Sequence, residues 1–242
     1  MKFVFVTLFP EQIEAAADHS MLKRAMEMGI LQMECVNPRD FSLDRHHSVD
    51  DAPFGGGVGM VLKPEPVVEA IRAARAKAPG APVIAMSPGG CTFKQSLAEV
   101  WAKNEKGLIF VCGHYEGFDE RIYHWVDLKI SIGDFVLTGG ELPALMIMDA
   151  VSRFVPGVLG KLASAEEDSF SSGLLEYPQY TRPVVFEGME VPEVLRSGNH
   201  KLIARWRRKQ ALKATFLLRP DMLPEELDKQ DKKLLEEIKE EL

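Results

Sequence analysis

Three glycine-bearing segments are the residues best suited to chemistry in this sequence: Ser87-Pro88-Gly89-Gly90, Gly113-His114-Tyr115-Glu116-Gly117, and the stretch from Gly133 through Leu137-Thr138-Gly139-Gly140-Glu141-Leu142-Pro143. Each follows a short apolar run, at Val83 to Met86, Leu108 to Cys112 and Asp127 to Ile132, of the length of a buried strand. Loops at the carboxyl ends of strands build the ligand crevice of an α/β sheet. Glycine there lets backbone N–H and C=O groups approach a ligand closely. Three such loops on one sheet can converge on one pocket. A fourth segment, Phe54-Gly55-Gly56-Gly57-Val58-Gly59-Met60, holds four glycines in five residues. It is either a hinge or a loop shaped to admit a flat ligand or an RNA backbone. Met60 stands where a GxGxxG motif would need its last glycine, and no GxxxxGK[ST] string occurs, so dinucleotide and P-loop readings lack their fingerprint.

The elements that must position these loops alternate. Lys2 to Leu8 reads as a central strand. Glu11 to Met28 has helical spacing closed by Gly29, and Leu31 to Asn37 is a second strand. A polar loop from Pro38 to Met60 leads to a helix over Pro64 to Ala78 with Val67, Val68, Ile71 and Ala74 on one face. Val83 to Met86 is a strand, and Lys94 to Lys103 a helix with Leu97, Val100 and Trp101 inward. Pro143 is placed to open a further helix, which Pro156-Gly157 ends. Alternation of this kind predicts a parallel sheet with helices on both faces. Lys161 to Gly173 turns small and polar and reads as a linker, separating a domain over 1–160 from a smaller one over 174–242. In the latter, Asn199 caps a helix from His200 to Leu218 with Leu202, Ile203, Trp206 and Leu212 as its apolar stripe, and Pro224 to Leu242 form an acidic amphipathic helix.

The 242 residues suffice for one large domain or two modest ones, and 46% apolar with 27% charged residues is an ordinary globular composition. No apolar run approaches the ~18 residues that span a bilayer. The start of the chain reads as a strand rather than a signal peptide. Cys35, Cys91 and Cys112 form no CxxC pair, and read as reduced thiols of a cytoplasmic protein without a structural zinc site. The net charge of −7 argues against nucleic acid only until its distribution is examined. From Arg196 to Arg219 there are eight Lys/Arg and no Asp/Glu, and from Asp221 to Leu242 nine Asp/Glu and four Lys. A local basic patch matters more to an anionic partner than the sum. The bland alternative is a solvated helix face, and the absence of acids across 24 residues favours RNA.

Several strings then carry a resemblance: Val49-Asp50-Asp51 with Phe54 to Lys63, Gly113 to Arg121, Ser131 to Pro143, Ala163 to Phe170, Tyr180 to Pro183, and Ser197-Gly198-Asn199-His200 with Trp206-Arg207. Long and unusual, in the right order, they resemble the bacterial tRNA (guanine-N1)-methyltransferases of the SPOUT class. The resemblance implies a deep trefoil knot in the α/β domain, a helical tRNA-binding domain, a homodimer with a shared active site, and S-adenosylmethionine as methyl donor to N1 of the guanosine immediately 3′ of the anticodon. Family members are also described as using magnesium, for which no ligand cluster is evident here. Periodicity does not disclose the knot, and fold rules alone argue against one.

The resemblance assigns roles residue by residue. N1 of guanine carries a proton, so a base must take it, and charge developing toward O6 needs a cation. Asp168, in Glu166-Glu167-Asp168-Ser169-Phe170, matches the family's base, and Arg153 its cation. On sequence alone Asp168 is a solvated linker acid, and Arg153 could equally complement a helix dipole. Pro88, Gly89, Gly113, Tyr115, Glu116, Gly117, Ser131, Ile132, Gly133, Leu137, Gly139, Gly140 and Pro143 match the cofactor-binding positions, although each glycine could be only a turn residue. His46, Asp50 and Gly55, Gly57 and Gly59 match target-side residues, while the pair His46-His47 departs from the basic character expected of phosphate contacts. Ser197, His200, Arg205, Arg207 and Arg208 are the expected phosphate contacts on the anticodon stem. Two rivals stay in view: a methyltransferase of the same class acting on another RNA atom, such as a ribose 2′-hydroxyl, and a non-catalytic RNA-binding metabolite sensor. A nucleotide-dependent oxidoreductase is disfavoured by the missing GxGxxG.

Overall fold

The computed structural model describes residues 1–160 and 168–242. The chain divides into two compact units, Met1–Leu162 and Ala163–Leu242. The first is a mixed α/β unit built on a five-stranded, wholly parallel sheet in the order β2-β1-β6-β5-β7. Its strands are β1 (Lys2–Val6), β2 (Gln32–Val36), β5 (Val83–Thr92), β6 (Leu108–Val111) and β7 (Leu128–Ser131). The two-residue strands β3 (Asp50–Asp51) and β4 (Val61–Leu62) form a separate antiparallel pair.

Strand periodicity sorts the core into two layers. Phe3, Phe5, Ile84 and Phe110 point to one face, where they meet helices α1 (Pro10–Ala17), α2 (Ser20–Glu27), α4 (Gln95–Ala102) and α5 (Glu141–Ser152). Val4, Val6, Val83, Ile109 and Val111 point to the other and meet Val67, Val68, Ile71 and Ala74 of α3 (Pro64–Lys77). The helices therefore cover both faces of the sheet, as the alternation of elements predicts.

Four local expectations are corrected. The helix expected over Glu11 to Met28 is two helices, because Ser20 sits at φ 51° and breaks the ladder. Gly29 closes the second of them at φ 70° as expected, its N–H donating to Met26 O. On α4, Val100 faces solvent, and Ala98 and Trp101 supply the inward face. Pro143 is the third residue of α5 rather than its first; Gly140 is the cap, and the missing proline N–H falls among the first four, which have no intrahelical acceptor in any case. Finally, Ser87 to Gly90 is not a turn after a finished strand. Strand β5 continues to Thr92, with Met86 and Cys91 both opposite Ile130 and the four intervening residues bulging out between them. A Cβ on Gly90 would lie 2.4 Å from Ile130 N, so only glycine lets the strand resume its pairing.

The second unit is mainly helical: α6 (Glu193–Arg196), α7 (His200–Leu218) and α8 (Lys229–Glu240), with a small β8 (Val185–Phe186) and β9 (Met189–Glu190) hairpin. Asn199 caps α7 as expected, its side chain accepting from Lys201 N and Leu202 N. Its core joins Ala211 and Leu212 of α7 to Leu234 and Ile238 of α8 and to Leu174. The stripe is thus shifted from the expected one, and Leu202 is exposed.

Candidate active site

The bulge within β5 and the loops after β6 and β7, three adjacent strands, enclose a cavity of about 420 Å³. Pro88, Gly113, Tyr115, Glu116, Gly117, Ser131, Ile132, Gly133, Leu137, Gly139, Gly140 and Pro143 all line it. Of the residues matched to cofactor binding, Gly89 alone does not; it lies exposed on the bulge, its N–H on Ser87 Oγ at 3.3 Å. The volume and the mixture of backbone polar groups with Met86, Ile130, Ile132, Val136 and Leu137 suit a nucleoside-sized ligand.

Backbone hydrogen bonds fasten the loops to one another. Gly140 N donates to Gly113 O at 2.8 Å, and His114 and Gly139 form a bridge. Ser131 Oγ and the Gly133 backbone are paired at 3.1–3.2 Å. Tyr115 takes φ 59°, the left-handed region that a non-glycine residue enters only when its surroundings hold it there. The glycine-rich segment after β3 joins the same wall: Glu116 N donates to Met60 O at 3.0 Å, Leu62 N to Gly117 O at 2.9 Å, and a Cβ on Gly59 would overlap the Glu116 carboxylate. Gly59 and Glu116 are therefore neighbours, but Gly55, Gly57 and Gly59 are all exposed and outside the cavity lining. Asp50 sits on β3 opposite Leu62. His46 is exposed in a turn organised by Asp44, whose carboxyl is held well below the usual range, first by the Ser48 N–H and also by the His46 N–H and the Ser48 and Ser42 hydroxyls.

Sequence reasoning missed Glu141. Its carboxylate is buried, 1% exposed, at the first turn of α5, and it accepts from Thr7 Oγ1 at 2.7 Å, with His114 Nε2 3.2 Å away. An acid between Gly-Gly and Leu-Pro gives no local sign of a partner 134 positions upstream.

Arg153 follows the last residue of α5. At 1.5 Å per residue that helix is roughly 18 Å long, so Arg153 lies far from the Gly140 end that faces the cavity. Leu142, Met146, Asp149 and Arg153 follow helical spacing, and the first two are 50% and 56% exposed. Asp168 belongs to the second unit. Lys161 to Glu167, over half of the expected linker and most of the matching Ala163 to Phe170 string, lie outside the described residues. The residues just after Asp168 are anchored: Gly173 N donates to Phe170 O, Phe170 N to Leu174 O, Glu176 N to Ser169 Oγ, and Leu174 is buried in the helical core.

The expected phosphate contacts divide into two sets. Ser197 and His200 are exposed around the start of α7. Arg207 lies with its guanidinium 4.9 Å over the Tyr177 ring. Arg205, however, donates to Glu237 at 2.6 Å, and Arg208 is bidentate on Asp231, a carboxylate 5% exposed. Lys209 bridges Glu237 and Glu241. The acidic helix is folded against the basic one, so Arg205 and Arg208 are already partnered. Residue composition shows two opposite charges in succession; only packing shows that they neutralise each other.

The model of the tRNA (Guanine-1)-methyltransferase TrmD family matches residues 1–225. The chain is 56% identical to a tRNA (guanine-N(1)-)-methyltransferase of Dehalococcoides mccartyi, over 98% of this chain and 97% of that one. It is 54% identical to the enzyme of that name from Desulfitobacterium hafniense, over 98% and 90% of the two chains, and 53% identical to that of Dictyoglomus turgidum, over 100% and 98%. The chain belongs to the tRNA (guanine-1)-methyltransferase family. The family match runs through both units to the end of α7 and stops short of α8, the helix that partners Arg205 and Arg208. Among the described residues of this family member, no helix is long and apolar enough to cross a membrane, and no group of three or more His, Cys, Asp or Glu is placed to hold a metal ion.

Proposed function

We propose that this protein methylates N1 of the guanosine immediately 3′ of the anticodon in tRNA, with S-adenosylmethionine as donor, acting as a homodimer in the cytoplasm. The observation that carries this reading is the convergence of the β5 bulge and the two glycine loops after β6 and β7 on one cavity at the carboxyl edge of the sheet. Gly113, Gly117, Gly139 and Gly140 bring bare backbone to that cavity, and Leu137, Ile132 and Pro143 supply its apolar wall. When bound there, S-adenosylmethionine supplies an electrophilic methyl group.

The chain's own residues do the rest. The Asp168 carboxylate takes the N1 proton, leaving a nucleophilic nitrogen. The Arg153 guanidinium offsets the negative charge that spreads to O6. Two features favour sharing this work between copies. Arg153 is a helix length away from its own cavity, and the exposed stripe of Leu142 and Met146 runs toward it along α5 as an apolar face that a second copy covers. The trefoil knot implied by the family resemblance belongs to the same proposal. No residue is assigned to magnesium, since the described residues present no donor cluster for it.

Labelled methyl transfer to two unmodified tRNA transcripts tests the reading, one with guanosine and one with adenosine after the anticodon, each with and without magnesium. Label only in the guanosine transcript, recovered as 1-methylguanosine, is the expected result. Label in both moves the target to another RNA atom. No label, with cofactor still bound, makes the protein a sensor.

The tRNA-facing surface is assigned to His200, Ser197 and Arg207 rather than to the whole basic run. Arg207→Ala is expected to weaken tRNA binding and to reduce the slope of log K against log salt by about one, the loss of one phosphate contact. Arg208→Ala should act mainly on stability, by about 1–2 kcal/mol, because it strands the buried Asp231 carboxylate while its own head is partly solvated. Equal effects of the two on salt dependence, measured by filter binding over a salt series, would return Arg208 to the RNA face.

A further inference from the structure

We propose that Glu141, with Thr7 and His114, is a positioning cluster that clamps the cofactor loops from behind; the inference rests on the cavity being the S-adenosylmethionine site. Thr7 and His114 come from the loops after β1 and β6, and Glu141 is the first residue of α5, which follows the loop after β7. Thr7 and Glu141 are both buried, at 0% and 1% exposed. The Thr7 hydroxyl donates to Glu141 Oε1 at 2.7 Å and accepts from Phe9 N at 2.9 Å, so its geometry is fixed on both sides. Glu141 Oε2 faces His114 Nε2 at 3.2 Å. The first turn of α5 adds its unsatisfied N–H groups, a favourable field for an acid withdrawn from water.

What the cluster holds is Gly139. A Cβ at that position would lie 2.3 Å from His114 Nε2 and 2.4 Å from Glu141 Oε2, so the Gly139 backbone rests directly on the pair. His114, Thr138 and Gly139 line both the main cavity and a second, smaller one of about 210 Å³ bounded also by Phe9, Gln12, Glu141 and Leu142. The loop is therefore a thin wall between two voids, braced on the far side by a buried carboxylate. Glu141 itself does not line the main cavity. It acts through Gly139 and His114, and so is a positioning residue rather than a catalytic one. A wall with space behind it can recede unless something pins it, and backbone groups that recognise a ligand must not recede.

Glu141→Gln keeps the shape but places an amide N–H2 or a neutral oxygen where a charged acceptor stood. Thr7→Val keeps the volume and deletes the hydroxyl, while Thr7→Ser restores it. The expected result is a rise of about tenfold in the Kd for S-adenosylmethionine in Glu141→Gln and Thr7→Val, with recovery in Thr7→Ser. The KM for tRNA should stay within about twofold, a split that general destabilisation does not produce. In the unliganded protein, amide exchange across 137–140 should quicken in the first two variants and not in the third. Unchanged Kd and unchanged exchange, with the wild-type protein binding normally, overturn the inference. If Glu141→Gln does not fold, the Thr7 pair decides it alone. A wild-type protein with no measurable affinity for S-adenosylmethionine sinks the functional reading instead, and the exchange comparison still decides whether the clamp exists.

Discussion

Replacing Asp168 with asparagine is expected to lower the rate of methyl transfer by about 10²–10⁴-fold, the range of a lost general base, while the Kd for S-adenosylmethionine stays within about twofold. Asparagine keeps the size and the hydrogen-bonding oxygen of the side chain but cannot accept the N1 proton. Asp168 lies in the second unit, and the glycine loops lie in the first. The anchoring downstream runs through Ser169 Oγ, the Phe170 and Leu174 backbones and the burial of Leu174. Single-turnover rates with saturating tRNA, set beside calorimetric titration of the cofactor, separate these quantities. Near-normal turnover removes Asp168 as the base. A parallel loss of cofactor affinity makes it a binding residue instead.

The second large effect is expected at Gly140. A Cβ there would lie 2.8 Å from Cys112 Cα, 2.9 Å from Gly113 N and 3.1 Å from Met86 Cβ, two of them backbone atoms that cannot swing aside. Gly140 has φ −85°, an ordinary value, so the cost of Gly140→Ala is purely steric. The loop after β7 must move off the end of β6, and its hydrogen bond to Gly113 O, at 2.8 Å, goes with it. Overpacking of this kind costs about 1–3 kcal/mol. Because the displaced atoms are the cavity wall, affinity for S-adenosylmethionine should also fall by tenfold or more, about 1.4 kcal/mol or beyond. Gly89→Ala is the matched control: its Cβ would find only Ser87 Oγ, at 3.9 Å, and the residue lies outside the cavity. Thermal unfolding and cofactor titration of both variants check the contrast. Equal losses at the two positions would mean that Gly89, despite its place on the bulge, touches the ligand.

That contrast also marks what could be read from the sequence. Ser87-Pro88-Gly89-Gly90 looks like the other glycine loops in composition, and the family resemblance places Pro88 and Gly89 together at the cofactor. The structure separates them, because β5 resumes pairing at Cys91 and turns the four residues into a bulge that presents Pro88 and not Gly89 to the cavity. Whether a strand resumes after a glycine pair depends on its neighbour, here Ile130, and not on the glycine pair.

Periodicity and capping determined a good deal by themselves. The alternating strands and helices, the cap at Asn199, the turn at Gly29 and the buried face of α3 all follow from residues within a few positions of each other. Local backbone preference and side-chain spacing encode such features directly. Tertiary structure alone decided which charges meet. It set Arg208 on Asp231 and Arg205 on Glu237, turning an apparent RNA-binding run into a partly neutralised helix pair. It brought Thr7 to Glu141 across 134 positions and buried an acid that composition would leave in solvent. It put Arg153 a helix length from the cavity of its own chain. The physical reason is the same in each case. A charge or hydrogen bond acts over a few ångströms of space, and only the packing of the sheet and its helices converts sequence separation into that distance.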